Sequence, residues 1–297
     1  MSNSKLVTVV IPTFNRGHLL EKVIPTYFQD CVDVVVVIND NSIDNTRSVL
    51  EMLSEKFENL VVINNKKNIK QTGCKNIGIE LAKTDYIYFG DDDSYITPGS
   101  ISKLLDVVKI NKCEIASARA LYFNNETSEA ELFERYNRRA SSSLDLVDLN
   151  TMKINFTLLV DFSLEVPISQ SCFLIKTDLA KKVKFSKLFI GNCYREESDF
   201  LLRCNAKGAR NFYTSSSCQI NLPRKLASGG AHDANKIMRR IYTQINDLIF
   251  VIKNYCHLAK LTGGNINPLK LLLIPYFNAP LKLYKKYYGS NENNNYS

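Results

Sequence analysis

Short apolar runs alternate with amphipathic stretches through the first 123 residues. Val7-Thr8-Val9-Val10-Ile11-Pro12 is a near-continuous apolar run stopped by proline, and Val34 to Ile38 is another. Runs apolar at successive positions suit strands covered on both faces, as in parallel sheets. Leu60 to Ile63, Tyr86 to Phe89 and Glu114 to Phe123 read as three more strands. Between them the apolar positions fall at helical spacing. Leu19, Leu20, Val23, Ile24 and Tyr27 predict a helix within 18–29, and Val49, Leu50 and Leu53 one from a cap near Asp44 to about Phe57. Gly73 to Lys83 and residues 98–110 are the next two, with Pro98 at an early helical position. Strand and helix alternate four times, which calls for an α/β fold with a mostly parallel sheet flanked by helices. Right-handed crossovers then gather the loops after strands one, two and four on one edge. That edge carries Asn15, Arg16, Asp40 and Asp91 to Asp93.

Past residue 123 the pattern breaks. Residues 124–165 are polar and uneven, predicting a mobile connection or an excursion facing an acceptor. Ser171 to Lys176 is a strand, Arg195 to Ala206 an acid-rich turn and helix, and Phe212 to Ile220 a strand. Residues 233–260 are helical, with Ile237, Ile241, Ile245, Leu248, Ile249 and Ile252 along one face. Leu269 to Tyr288 mixes Leu, Tyr, Phe and Lys around Pro275 and Pro280. It suits a helix packed on the core or one lying on a membrane surface. The Asn/Ser-rich tail from Gly289 predicts disorder.

Composition adds limits. An apolar content of 45% and a charged content of 23% over 297 residues are those of a globular chain with a sizeable core. The net charge of +8 fits polyanionic ligands or an acidic surface, but no basic tract interleaved with aromatics points to nucleic acid. Eight scattered cysteines without a C-x-x-C pair suit reduced thiols. With no signal peptide ahead of Leu6 and no apolar run near the roughly 18 residues that span a bilayer, the expectation is a cytoplasmic protein, peripheral at most at the inner face of the plasma membrane.

The sharpest chemical signal is Gly90-Asp91-Asp92-Asp93-Ser94, directly after an aromatic strand. Three adjacent carboxylates repel one another, and a hard divalent cation taking oxygen ligands relieves that cost. A solvated acidic turn is the plainer alternative.

The ordered set of motifs resembles the family 2 glycosyltransferases of the GT-A fold. It comprises Val9-Val10-Ile11-Pro12-Thr13-Phe14-Asn15-Arg16, Asn39-Asp40-Asn41-Ser42-Ile43-Asp44-Asn45-Thr46, Gly73-Cys74-Lys75-Asn76-Ile77-Gly78, and the Asp triplet followed by Pro98-Gly99. The resemblance is dense over residues 5–110 and thinner to about 230. It implies a GT-A domain over 1–230, with a nucleotide-sugar half (1–123) and an acceptor half (124–230), and a helical extension with a disordered tail over 231–297. It further implies inverting transfer of a sugar from a nucleotide-sugar, UDP-linked by preference, to a glycan or lipid-linked glycan, with Mn²⁺ or Mg²⁺, in surface polysaccharide or glycan assembly.

Residue by residue, the donor is expected to meet Pro12, Thr13, Phe14, Asn15, Arg16, Asn39, Asp40, Lys75, Asp91 and Asp92. Asp40 can accept the N3–H of uracil, although a turn-stabilising role is its alternative. Lys75 stands where relatives often carry Arg. Asp93 is expected as the direct metal ligand with Asp91, and where relatives complete the shell with a His at the place of Asn221, this chain is left with Asn221 itself, water or His232. Arg224 and Lys225 are placed to hold the diphosphate. Arg195-Glu196-Glu197-Ser198-Asp199 resembles the family's Glu-Asp-x-Asp segment, which makes Glu197 the general base and Glu196 its support. The C-terminal region would then sit near a membrane-borne acceptor.

Other readings are a GT-A-fold scaffold that has lost catalysis and a nucleotidyltransferase. The latter needs a Gly-rich basic phosphate loop after the first strand, where this chain has a single glycine, Gly17. A G-x-G-x-x-G dinucleotide motif is absent.

Overall fold

The computed structural model describes residues 6–264 except 125 and 231–234. The first half is the expected alternation: β1 (Val7–Thr13), α1 (Gly17–Val23), β2 (Val32–Asn39), α2 (Thr46–Lys56), β3 (Leu60–Asn64), α3 (Lys70–Leu81) and β4 (Tyr86–Phe89). A 3₁₀ turn, Ile24–Tyr27, ends what the spacing predicted as one longer helix, with Pro25 at its second position. β1 to β4 run parallel in the order β3-β2-β1-β4. Successive strand residues feed two cores. Val7, Val9 and Ile11 point into one with Leu20, Val35 and Leu50, while Val10 joins the other with Val36, Ile79 and Phe89. α3 crosses β1 so closely that a Cβ on Gly78 would lie 2.2 Å from Val10 Cγ1.

The second half departs from the prediction in three places. β5 (Ser94–Ile96) follows the acids at once and precedes α4 (Ser100–Asn111). It pairs antiparallel with the far strand β11 (Asn211–Asn221), so the Asp segment bridges from the centre of the sheet to its edge. β6 (Ile115–Tyr122) does not adjoin β4. β10 (Phe173–Lys176) inserts between them, antiparallel to both. Thirdly, the expected mobile connection is a folded flap. It holds α5 (Glu129–Arg135), α6 (Ser143–Leu146), β7 (Val147–Asp148), β8 (Lys153–Ile154) and β9 (Leu164–Glu165). Phe156 and Leu158 bury beneath it, and the Tyr213 hydroxyl donates to the Leu158 carbonyl at 2.5 Å. These few anchors among polar residues pin the segment to β6 and β11.

α7 (Thr177–Val183), α8 (Glu196–Ala206) and α9 (Lys236–Leu261) complete the described chain. Phe200 on α8 stacks on Phe185 at 4.2 Å between ring centres and meets Phe89 and Phe173, so the sheet fixes the helix that carries Glu197. No helix among the described residues is long and apolar enough to cross a membrane. The seven cysteines other than Cys256 are buried and unpaired. His232 and the stretch from Leu269 lie outside the described residues.

Candidate active site

At the carboxyl end of the parallel strands lies a cleft of about 710 Å³. Pro12, Thr13, Phe14 and Arg16 enter it after β1, Asp40 after β2, Asp91, Asp92 and Asp93 after β4, and Glu197 from the first turn of α8. The expected gathering of these loops is therefore met. Asn15, Asn39, Lys75 and Glu196 do not line it.

The Asp segment is held by its backbone. The buried Tyr27 hydroxyl accepts from Asp91 N–H at 3.1 Å and donates toward the carbonyls of Asp91 and Ser94. Asp91 Oδ2 accepts from Ser171 Oγ at 2.6 Å and from Gln219 Nε2 at 3.4 Å, so its Oδ1 is the oxygen left for the cleft. Burial raises the Asp91 carboxyl against the pull of Lys75. Burial also pushes Asp92 up to about 7, opposed by Arg16. Asp93 Oδ2 lies 3.2 Å from Nη1 of Arg16. Arg16 is 3% exposed, and its Nε has no hydrogen-bond partner among the described residues. A buried guanidinium with unused donors on an open cleft suits a phosphate oxygen.

Among the described residues no three His, Cys, Asp or Glu side chains converge as a cation cage. A cation bound largely through substrate phosphates needs only one or two carboxylates, and Asp91 and Asp93 are the acids of the cleft that could supply them. Asn221, the place of a His in relatives, gives its Nδ2 to the Leu121 carbonyl.

Asp40 and Lys75 both hold partners within the protein. Asp40 Oδ1 accepts from Ile69 N–H at 2.8 Å and from Asn65 Nδ2 at 2.9 Å, and its Oδ2 accepts from Lys70 N–H at 2.8 Å. Three of about four acceptor directions are thus spent on the entry to α3, which leaves one on a residue that lines the cleft. Lys75 is 1% exposed and turned away from the cleft. Its Nζ donates to Glu197 Oε1 at 2.7 Å and to Glu196 Oε1 at 2.9 Å, with the Phe185 ring beneath it. Asn15 and Asn39 serve the loops: Asn15 Oδ1 accepts from Ile43 N–H, and Asn39 Oδ1 from Ser42 N–H. Arg224 and Lys225 are exposed and outside the cleft lining.

Lys75 divides the two glutamates. Burial, then the Glu197 charge, pushes the Glu196 carboxyl well up. Glu197 is lowered despite burial, because Lys75 lies against it. The one cation between the buried pair therefore favours ionisation of Glu197 over Glu196. Gln71 also donates to Glu196 Oε1. The start of α8 favours these acids through its dipole, and Arg195 ahead of it is tied to Asp247 of α9 at 3.0 Å.

The motif reading missed other walls: Gln71, Ser171, the 190–194 turn, and Arg239 and Tyr242 of α9. Gly229 and Gly230 close over β1's loop. Gly230 N–H donates to the Phe14 carbonyl at 3.0 Å. Gly229, at φ 92°, has no room for a Cβ, which would meet the Asn15 carbonyl oxygen at 2.0 Å.

The sequence model of glycosyl transferase family 2 matches residues 8–183. The chain belongs to this family. It is 38% identical over 103 residues to GalNAc(5)-diNAcBac-PP-undecaprenol beta-1,3-glucosyltransferase of Campylobacter jejuni, an overlap of 33% of each chain. Poly(ribitol-phosphate) beta-glucosyltransferase of Bacillus spizizenii is 27% identical over 51% of this chain and 24% of its own. The chain thus matches a third or less of these two relatives' length. Among solved structures, S. aureus TarS 1-349 in complex with UDP-GlcNAc superposes with a TM-score of 0.58 over 95% of this chain and 76% of its own, at 13% identity. That likeness supports the GT-A fold.

Proposed function

We propose that the chain transfers a sugar from a nucleotide-diphosphate sugar, with UDP favoured, to a glycan hydroxyl with inversion. The observation that carries this reading is a Glu197 carboxylate held at 2.7 Å by a buried lysine, in the same cleft as Arg16 and Asp93. The TarS structures with UDP and with UDP-GlcNAc support UDP as the nucleotide. Arg16 receives the diphosphate and the Gly229-Gly230 turn keeps that end closed. The acceptor oxygen attacks the anomeric carbon as the bond to the diphosphate breaks, and its proton passes to Glu197. A single displacement inverts the anomeric centre. Asp93 and Asp91 are the residues that would hold a Mn²⁺ or Mg²⁺ ion, which would supply charge neutralisation as the diphosphate departs. The Campylobacter relative carries a PP-undecaprenol glycan in its name. An acceptor of that class would place the enzyme at the cytoplasmic membrane face, in surface-glycan assembly.

UDP release from a panel of UDP-sugars, to water and to glycan acceptors with Mn²⁺, tests the reading. Glu197→Gln should cut turnover about 10²–10⁴-fold, the usual worth of a general base, while UDP still binds. A folded protein that releases no UDP and binds none would instead be the scaffold.

A further inference from the structure

We propose that the outward face of α9 docks the protein on an anionic bilayer, with the mouth of the cleft at the lipid surface. α9 is bolted to the domain by one side only. Asn246, Phe250, Asn254 and Leu258 are buried, with Asn254 Nδ2 on Asp199 Oδ1 at 2.9 Å and Asn246 Nδ2 on the Ile190 carbonyl at 2.8 Å. The opposite side exposes Met238, Ile241, Ile245, Leu248, Ile252 and Tyr255, each by 38–67%. Their separations of three, four, three, four and three residues draw one apolar stripe along a 26-residue helix. A contiguous exposed patch of this kind marks a surface that something covers.

Charge decides what covers it. Arg240 and Lys260 are exposed beside the stripe, Lys253 is turned back to Asp199 at 2.9 Å, and the helix's single acid, Asp247, is turned inward to Arg195. The chain past residue 264 adds Lys270, Lys282, Lys285 and Lys286 against Glu292 alone. A second copy, or the chain's own end, would set cation against cation. Anionic headgroups match the basic rim, and the apolar face enters the acyl boundary without crossing it. Arg239 and Tyr242, beside Ile241, line the cleft, which ties the docked face to the site. Delivery of a lipid-borne acceptor to that cleft rests on the proposed transferase activity. The docking itself does not.

Cys256 follows Tyr255 and is the exposed one of the described cysteines, so a polarity-sensitive dye can be attached there. The full chain is floated with phosphatidylcholine vesicles, with and without phosphatidylglycerol. Phosphatidylglycerol should bring the protein up with the vesicles and blue-shift the dye. Leu248→Asp with Ile252→Asp should weaken flotation at least tenfold and leave UDP release from UDP-sugar unchanged. If that pair unfolds the protein, Leu248→Gln with Ile252→Gln provides the same reading. Several results overturn the proposal: no flotation of the wild type, flotation of the variants equal to it, a dye already shielded in the monomer without vesicles, or a dimer that these substitutions split. UDP release is read separately, so loss of flotation alone leaves the transferase reading standing.

Discussion

Replacing Lys75 with Met tests the charge arrangement at the base. The side chain is buried and touches Glu197 at 2.7 Å and Glu196 at 2.9 Å. Methionine fills similar volume but leaves two buried carboxylates without their cation. Removing one partner of a buried ion pair typically costs about 3–5 kcal/mol, a large part of the roughly 5–15 kcal/mol that stabilises a typical domain. Lys75 is itself held well above its ordinary value by Glu196 and Glu197, so it stays charged through any working pH. Its loss should therefore appear at neutral pH. In urea unfolding we expect a fall of about 3–5 kcal/mol, and adding Glu196→Gln should recover part of it, with a coupling of about 0.5–3 kcal/mol. Lys75 is also what lowers Glu197, so the acid limb of the pH–rate profile should move up in the surviving activity. Stability within about 0.5 kcal/mol of wild type, together with an unmoved acid limb, would refute the assignment of Lys75 as the cation that keeps Glu197 ionised.

Glu196→Gln alone isolates the raised carboxyl. Its folded value lies well above 4.5, so the native state binds a proton that the unfolded chain releases, and stability falls as pH rises above about 4.5. Urea melts at pH 5 and pH 8 should show less of that fall in the variant, whereas parallel pH dependences would count against it. Gly229→Ala forces a Cβ against the Asn15 carbonyl at a left-handed φ. It should cost about 1–3 kcal/mol in thermal or urea unfolding and weaken UDP binding, so unchanged values for both would contradict the closed turn.

Much of this fold was legible because its strands are local. Each apolar run of the first half carries its own stop signal, and the acids stand directly after the fourth, so the topology rule alone brought Arg16 and Asp91–Asp93 together. The insertion of β10 was not legible, since pairing with β4 and β6 is decided by contacts distant in sequence. β5 is three residues long and too short for any period. The burial of Lys75 was not legible because its neighbours give no hint of its partners, which lie more than 120 residues on. The hold of Asp40 on the entry to α3 was hidden for a similar reason. The backbone it caps begins 29 residues away. Arg239 and Tyr242 carry no motif and reach the cleft only through the register of α9.

Calorimetric titration with UDP, in Mn²⁺ and then in EDTA, on wild type and Asp93→Ala, addresses the central claim that this cleft is a nucleotide-sugar donor site. The account predicts saturable binding by the wild type in Mn²⁺, and at least tenfold weaker binding in EDTA and in Asp93→Ala, which remains folded. No binding by folded wild type, or binding indifferent to both Mn²⁺ and Asp93, would contradict it.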